Sequence, residues 1–259
     1  MQDKNKTVVK SMSILTLFID HPRLTFNELM NKTNIPKTSL HRMLGSLEEM
    51  GFLTKNPYGH YELGLLFLQF GQLVADRLDV RGLALPIMQA LRDEVEEAVN
   101  LIVRDGDEAM YIEKIEAVHP VRLYTSIGRK SPLYAGACSR IILSFLSSEE
   151  QQRYLEVTDL KPIGIGTITD KEKLNEELHK ARVNGYTISH SELEDYTTAV
   201  SAPIFNHKGE IVAGISVAGI DAHFHEERMP FLIKKVTTAA AEISVKLGYI
   251  PQHTSPFAQ

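Results

Sequence analysis

The chain has 259 residues, 43% hydrophobic and 24% charged, with a net charge of −5. That is ordinary soluble globular composition, enough for one large domain or two modest ones. It excludes a membrane-spanning protein, since no apolar run approaches the roughly 18 residues needed, and its single cysteine, Cys138, excludes an intramolecular disulfide framework. The polar start Met1-Gln-Asp-Lys-Asn-Lys6 lacks the apolar core of a secretory signal, so a cytoplasmic location is expected. Charge is unevenly spread. Residues 1–64 hold eight Lys/Arg against six Asp/Glu, whereas the remainder holds 20 against 27. A slightly basic head on an acidic body permits local phosphate contact without general stickiness.

The first expected helix spans residues 8–18, with Val8, Met12, Leu15 and Phe18 at helical spacing, and His21-Pro22 breaks it. Thr25-Phe-Asn-Glu28 has the spacing of a capping box and opens a short helix over 25–33. Asn34-Ile35 makes a tight turn, and Pro36 suits the first position of a helix running to about residue 50. Leu40, Met43, Leu44 and Leu47 form its apolar stripe, and Gly51 ends it. Strand-like ends then flank Asn56-Pro-Tyr-Gly59, which is hairpin chemistry. Helix, helix, turn, helix and hairpin spell a winged helix-turn-helix over 1–64.

A linker is expected at 65–78, holding a helix over 65–75 that is apolar on most sides and therefore needs more than one surface to cover it, its own body or a second chain. The body, 79–250, opens with a helix over 80–98 and turns to mixed α/β. Strands are expected at 99–104, 110–116, 121–125, 186–189, 200–205 and 211–218, and helices at 135–145, 148–156, 171–184 and 226–247. Thr169-x-x-Glu172 announces the third of these helices and Asn184-Gly185 stops it. The resulting fold class is α/β (α+β): a winged head, a linker helix and a GAF/PAS-like sensor domain built on a mainly antiparallel sheet. Residues 251–259 read as a frayed tail.

Taken together, these blocks resemble the IclR-type regulators over essentially the whole chain. In the head the resemblance lies in the run from Ile35-Pro-Lys-Thr-Ser to Glu49-Met-Gly-Phe52, followed by Tyr61-Glu-Leu-Gly64. In the body it lies in Ile127-Gly128 with Pro132-Leu-Tyr-Ala135, in Gly185-Tyr186 with Glu192, and in Ser201-Ala-Pro-Ile-Phe205 leading to Val212-Ala-Gly-Ile-Ser-Val217. The segment after Pro132-Leu-Tyr-Ala commonly ends in Gly-Lys in the family, but here it reads Gly136-Ala-Cys-Ser-Arg140. The resemblance implies a homodimer or dimer of dimers that binds palindromic double-stranded operator DNA. It also implies a small organic or aromatic acid effector in the C-terminal domain.

On the third helix, the face opposite the apolar stripe offers Lys37, Thr38, Ser39, His41 and Arg42 near the N-terminus, where a recognition helix meets base edges. A solvated face explains such residues on an isolated helix; the turn and wing around them favour a DNA interface. Lys55, Tyr58 and His60 are the wing candidates, although Tyr58 packing on its own hairpin is an equal alternative, and Arg23 is a weaker phosphate contact.

For the effector, the resemblance carries over Ala137, Cys138, Ser189, Thr197 and Ala199. The amides around Gly136–Ser139 suit a carboxylate at a helix start, and Tyr124 and Tyr134 are expected walls. Cys138 in an apolar stretch reads first as a small buried hydrophobe; a redox- or metal-responsive regulator acting through it is the alternative. His223 and His225 with Asp221 and Glu226 match no zinc spacing and are read as a loop, and His190 near Glu192 and Glu194 as an exposed polar segment. No cofactor motif is found: Gly-x-Ser-x-Gly elbow, phosphate loop and dinucleotide fingerprint are all missing, so an enzyme is not expected.

Overall fold

The computed structural model describes residues 5–75, 80–119 and 125–250. It divides into two compact units, Met1–Arg77 and Leu78–Gln259.

In the first unit, α1 (Lys6–Thr16) is capped by the Asn5 side chain and runs into a 3-10 turn at Leu17–Ile19. Its buried face is Ile14, Leu15 and Phe18, while Val8 and Met12, expected on that face, are exposed. Only the C-terminal half of the helix reaches the core, and periodicity cannot reveal where a neighbour ends. The α2 helix (Phe26–Thr33) has the reciprocal capping box of Thr25 and Glu28. Asn34 turns the chain in the left-handed region, and α3 (Lys37–Glu49) follows with Pro36 at its N-cap rather than inside its first turn. Leu40, Leu44 and Leu47 of α3 are buried, with Met43 half-buried beside them.

The wing pairs β2 (Leu53–Lys55) with β3 (His60–Leu63), and β1 (Leu24–Thr25) adds a third strand that the sequence did not reveal. The three strands and three helices close on one core that includes Leu24, Leu29, Leu53 and Tyr61. The α4 helix (Leu66–Ala75) lays Phe67 edge-on against Phe52, with ring centroids 5.6 Å apart. Leu65 beside it is 79% exposed and Leu68 is 70% exposed, so the apolar sides expected to need a second cover are uncovered in the single chain.

Among its described residues, the second unit is built on a six-stranded antiparallel sheet. Its strands are β4 (Ala98–Asp105), β5 (Glu108–Ile115), β6 (Lys130–Pro132), β7 (Thr187–His190), β8 (Thr197–Phe205) and β9 (Ile211–Ile220), in spatial order β6-β5-β4-β9-β8-β7. On one face lie α5 (Val80–Val95) and α9 (Met229–Lys246), which pack on Val99, Leu101, Val200, Ala202, Ile215 and Val217. The other face is covered by α6 (Ala137–Phe145), α7 (Ser148–Val157) and α8 (Lys171–Asn184), around Ile102, Tyr111, Leu133 and Ile141.

Several boundaries differ from expectation. Residues 121–124 of the expected 121–125 strand lie outside the described residues, and Thr125 is not in a strand; among the described residues the strand beside β5 at the sheet edge is β6. Asp170, not Thr169, caps α8, because its carboxylate accepts from the Lys173 amide at 2.7 Å. The α9 helix begins at Met229 after a 3-10 turn at Asp221–His223.

Strand alternation gives the two faces of the sheet different linings. The residues of β8 and β9 between the large apolar ones are Ala199, Ser201, Gly214, Ser216 and Ala218, and these point toward α6. A Cβ at Gly214 would meet Ile141 at 2.8 Å and the Cys138 carbonyl at 3.0 Å, so glycine there is what lets α6 lie close on the sheet. Replacing the fully buried Leu44 by alanine should cost the first unit about 2–5 kcal/mol; chemical denaturation followed by far-UV circular dichroism checks this.

Candidate functional site

In the first unit, Lys37, Thr38, His41 and Arg42 are exposed and Ser39 is half-buried. With Leu40 and Leu44 pointing inward, helical geometry sets Thr38 and Arg42 on the outward face. Gly45 shares that face, with open space in front of it. Ser39 and Arg42 border a surface depression shared with Thr7 and Ser11 of α1. His41 leans on Phe26, with ring centroids 6.2 Å apart.

Across the wing, Asn56 organises the turn. Its Oδ1 accepts from the Tyr58 and His60 amides at 3.0 and 3.1 Å, and its Nδ2 donates to Glu62 at 2.8 Å. Tyr58 is 86% exposed, so it does not pack on its own hairpin. The Lys55 ammonium sits 5.1 Å from the centre of the Tyr61 ring. His60 is half-buried with Nδ1 enclosed, and Arg23 is exposed.

In the second unit, Gly136, Ala137, Cys138, Ser189, Thr197 and Ala199 converge on one cavity of about 50 Å³ beneath the start of α6. Each cavity water needs ~10–15 Å³ by this measure, so the space suits a ligand of few atoms. Tyr124 lies outside the described residues. Tyr134 is not a wall: it points into the α6–α8 layer, and its hydroxyl donates to the Lys161 carbonyl at 2.9 Å. A strand-to-helix turn separates it from Gly136, and two residues along such a turn suffice to reverse a side chain. Further lining comes from Asn100, Tyr111, Arg129, Glu192, Thr198 and Ser216. The sequence signal for Asn100 and Ser216 was the small or polar residue at every second strand position. Nothing local marked Tyr111 or Arg129.

The helix start is already partly occupied. The Gly136 amide donates to Glu192 Oε2 at 2.8 Å, and the Ala137 amide to Ser189 Oγ at 2.9 Å. Of the four amides expected to hold a carboxylate, two are therefore taken, because a buried glutamate is itself the anion that the helix terminus attracts. Gly136 has φ +82, a conformation that favours glycine, and a Cβ there would strike Leu193 at 2.6 Å.

Glu192 is held in turn by Arg140, which is 1% exposed. The guanidinium reaches both carboxylate oxygens at 2.5 Å, Thr187 Oγ1 at 3.2 Å and the Ile188 carbonyl. At the cavity's edge Arg129 pairs with Glu194 at 2.8 Å. Asn100 Oδ1 is buried with no hydrogen-bond partner among the described residues. His190 contacts Thr198 on the neighbouring strand at 2.8 Å.

Burial pushes the Cys138 thiol up to about 12, and the Ser216 and Ser201 hydroxyls offset this only in part. Burial likewise raises the Tyr111 phenol. The cysteine is therefore a neutral thiol at physiological pH, the opposite of the exposed, low-pKa thiolate that redox sensing uses.

A winged helix-turn-helix joined to an antiparallel α+β body with a small internal cavity defines a transcription regulator. Residues 7–57 match the IclR helix-turn-helix domain, and residues 72–245 match the family described as bacterial transcriptional regulator IclR C-terminal. The chain belongs to the IclR family. It is 61% identical to the HTH-type transcriptional regulator KipR of Bacillus subtilis, over 96% of this chain and 100% of that protein. Among solved structures it is similar to the Thermotoga maritima IclR, with 32% identity, a TM-score of 0.64 and coverage of 94% and 99% of the two chains. The Agobacterium tumefaciens repressor BlcR gives 26% identity and a TM-score of 0.80 over 96% and 100%. These relatives are named as regulators or repressors, and among the described residues no helix is long and apolar enough to cross a membrane.

Arg140→Met, which strands the buried Glu192 carboxylate, should destabilise the body by about 3–5 kcal/mol, and adding Glu192→Gln should restore much of that; urea denaturation of the full chain measures both. The Cys138 pKa is raised from 9.0 to about 12, so the unfolded chain ionises first as pH rises. Its contribution is present below pH 9.0 and is lost as pH climbs toward 12. Cys138→Ala should remove that part of the alkaline loss in melting temperature.

Proposed function

We propose that this chain is a ligand-responsive repressor: a homodimer that grips double-stranded operator DNA through two winged heads and loosens or tightens when a small organic acid enters the body cavity. The observation that carries the reading is the cavity itself. The sheet turns small and polar residues toward α6, and Asn100 Oδ1 is buried there without a partner among the described residues. Buried acceptors are rarely left unsatisfied. A hydroxyl on the ligand would satisfy this one, while its carboxylate would face Arg129 and the remaining Cys138 and Ser139 amides. The preferred effector is thus a small hydroxylated acid.

For DNA, Thr38 and Arg42 read base edges in the major groove, with Arg42 suited to the guanine fork. Lys37, Ser39 and His41 flank them, and Lys55, Tyr58 and His60 of the wing, with Arg23, serve the adjacent backbone. Two heads on one dimer call for half-sites with two-fold symmetry. The exposed Leu65 and Leu68, and Val8, Val9 and Met12 on α1, support a second chain as the cover for these apolar faces. The ligand changes operator affinity only to the extent that it binds the two states of the dimer differently.

Fluorescence anisotropy with DNA from the gene's own upstream region, with and without a panel of hydroxylated and plain organic acids, tests this. Arg42→Ala should lose roughly 5- to 150-fold in specific affinity, the ~1–3 kcal/mol of a base-reading contact. Lys55→Ala should weaken all sequences alike and flatten the salt dependence. Asn100→Leu should bind DNA normally and lose the response to acid. Absence of any sequence preference would refute the DNA-binding half, and a response retained in Asn100→Leu would refute the ligand pose.

A further inference from the structure

Across the sheet from the cavity, three distant segments meet at one point. Glu97 immediately precedes β4, His119 follows β5, and His223 lies in the 3-10 turn after β9. We propose that Glu97, His119 and His223 form a binding site for a divalent transition-metal ion of the zinc class, separate from the effector cavity.

The donor set is drawn together by the fold. The Glu97 side chain is 2% exposed, with Oε1 2.9 Å from His223 Nδ1 and 3.8 Å from His119 Nε2. The two imidazoles stack obliquely with centroids 4.6 Å apart, and one donor atom from each of the three residues lies within 4.8 Å of the others. Tetrahedral zinc, with bonds of ~2.0–2.1 Å, spaces its ligands roughly 3.3 Å apart. The two distances to Glu97 bracket that value, and His119, about a third exposed, has room to close the widest gap. Gly219 makes space for the carboxylate, since a Cβ there would meet Glu97 Oε2 at 2.5 Å.

An ordinary ion pair leaves part of this arrangement unexplained. Arg228 already neutralises Glu97 at 2.9 Å, and it also donates to the His223 and Val95 carbonyls. Yet His223 Nδ1, buried and only 2.9 Å from the carboxylate, makes no hydrogen bond. A buried nitrogen that makes no hydrogen bond, beside a carboxylate and a second imidazole, is how a metal ligand sits before the ion arrives. In that state Arg228 would orient the glutamate from behind. Its positive charge opposes a dication, so the ion should be exchangeable rather than permanently held. Two imidazoles and one carboxylate favour zinc, cobalt or nickel over the hard cations magnesium and calcium, which take oxygen ligands. Three protein ligands leave a fourth position for water.

The test uses the full-length chain stripped with a chelator and titrated with Zn²⁺ by calorimetry, and with Co²⁺ by visible absorption. The expected result is one ion per chain, a tetrahedral cobalt spectrum and no competition from Mg²⁺. His119→Gln and His223→Gln should each weaken binding at least tenfold, while His225→Gln and Cys138→Ser leave it unchanged. His119 is partly exposed, so its variant keeps the fold and remains decisive if His223→Gln does not. No binding by the stripped chain would overturn the proposal. So would wild-type affinity in His119→Gln, or loss on replacing His225 or Cys138.

Discussion

The body depends on one buried charge pair. Arg140 and Glu192 are each almost wholly removed from water, and neither would be stable there alone. Together they tie α6 to β7 and to the segment after it, because Arg140 also holds Thr187 and the Ile188 carbonyl. The same glutamate caps α6 through the Gly136 amide. Placing an anion at the positive end of a helix and a cation one turn inside it satisfies both electrostatically. Glu192 of this knot lines the cavity directly, while the rim, with Arg129 and Glu194, remains partly solvated.

The sheet gives its two faces different linings by alternation. Residues facing α5 and α9 are large and apolar and form a dry core. Those facing α6 are small or polar where the cavity lies and apolar again toward Ile102 and Ala109. A single strand such as β9 thus contributes Ile215 and Val217 to stability, and Ser216 and Ala218 to the cavity. Side chains on successive residues point to opposite faces, so the two demands do not compete.

The head follows a different logic. Its core is completed by the third strand and by Phe52 against Phe67, which leaves the polar start of α3 and the tip of the wing turned outward. The surfaces it fails to cover are apolar ones on α1 and α4. The uncovered face of α1 adjoins the polar start of α3, since Ser39 and Arg42 share a surface depression with Thr7 and Ser11.

Much of this was legible in the amino-acid order because it rests on local physics. Helical spacing, the Thr25–Glu28 box, the Asn56–Gly59 turn and Gly51 locate the elements of the head within a few residues. The helix start at Gly136 was legible in the same way, whereas Ala137, Cys138, Ser189, Thr197 and Ala199 were reached only through the family resemblance. What failed was whatever depended on neighbours. Val8 and Met12 have core periodicity but no core beside them, Tyr134 turns away from the cavity, and β6 was hidden in a segment with no strand pattern. Arg129 and the convergence of Glu97, His119 and His223 were beyond local reading altogether. Strand register and turn direction, set by the packing of the whole sheet, decide which side chains meet across more than a hundred residues of chain, and no nearby residue records that choice.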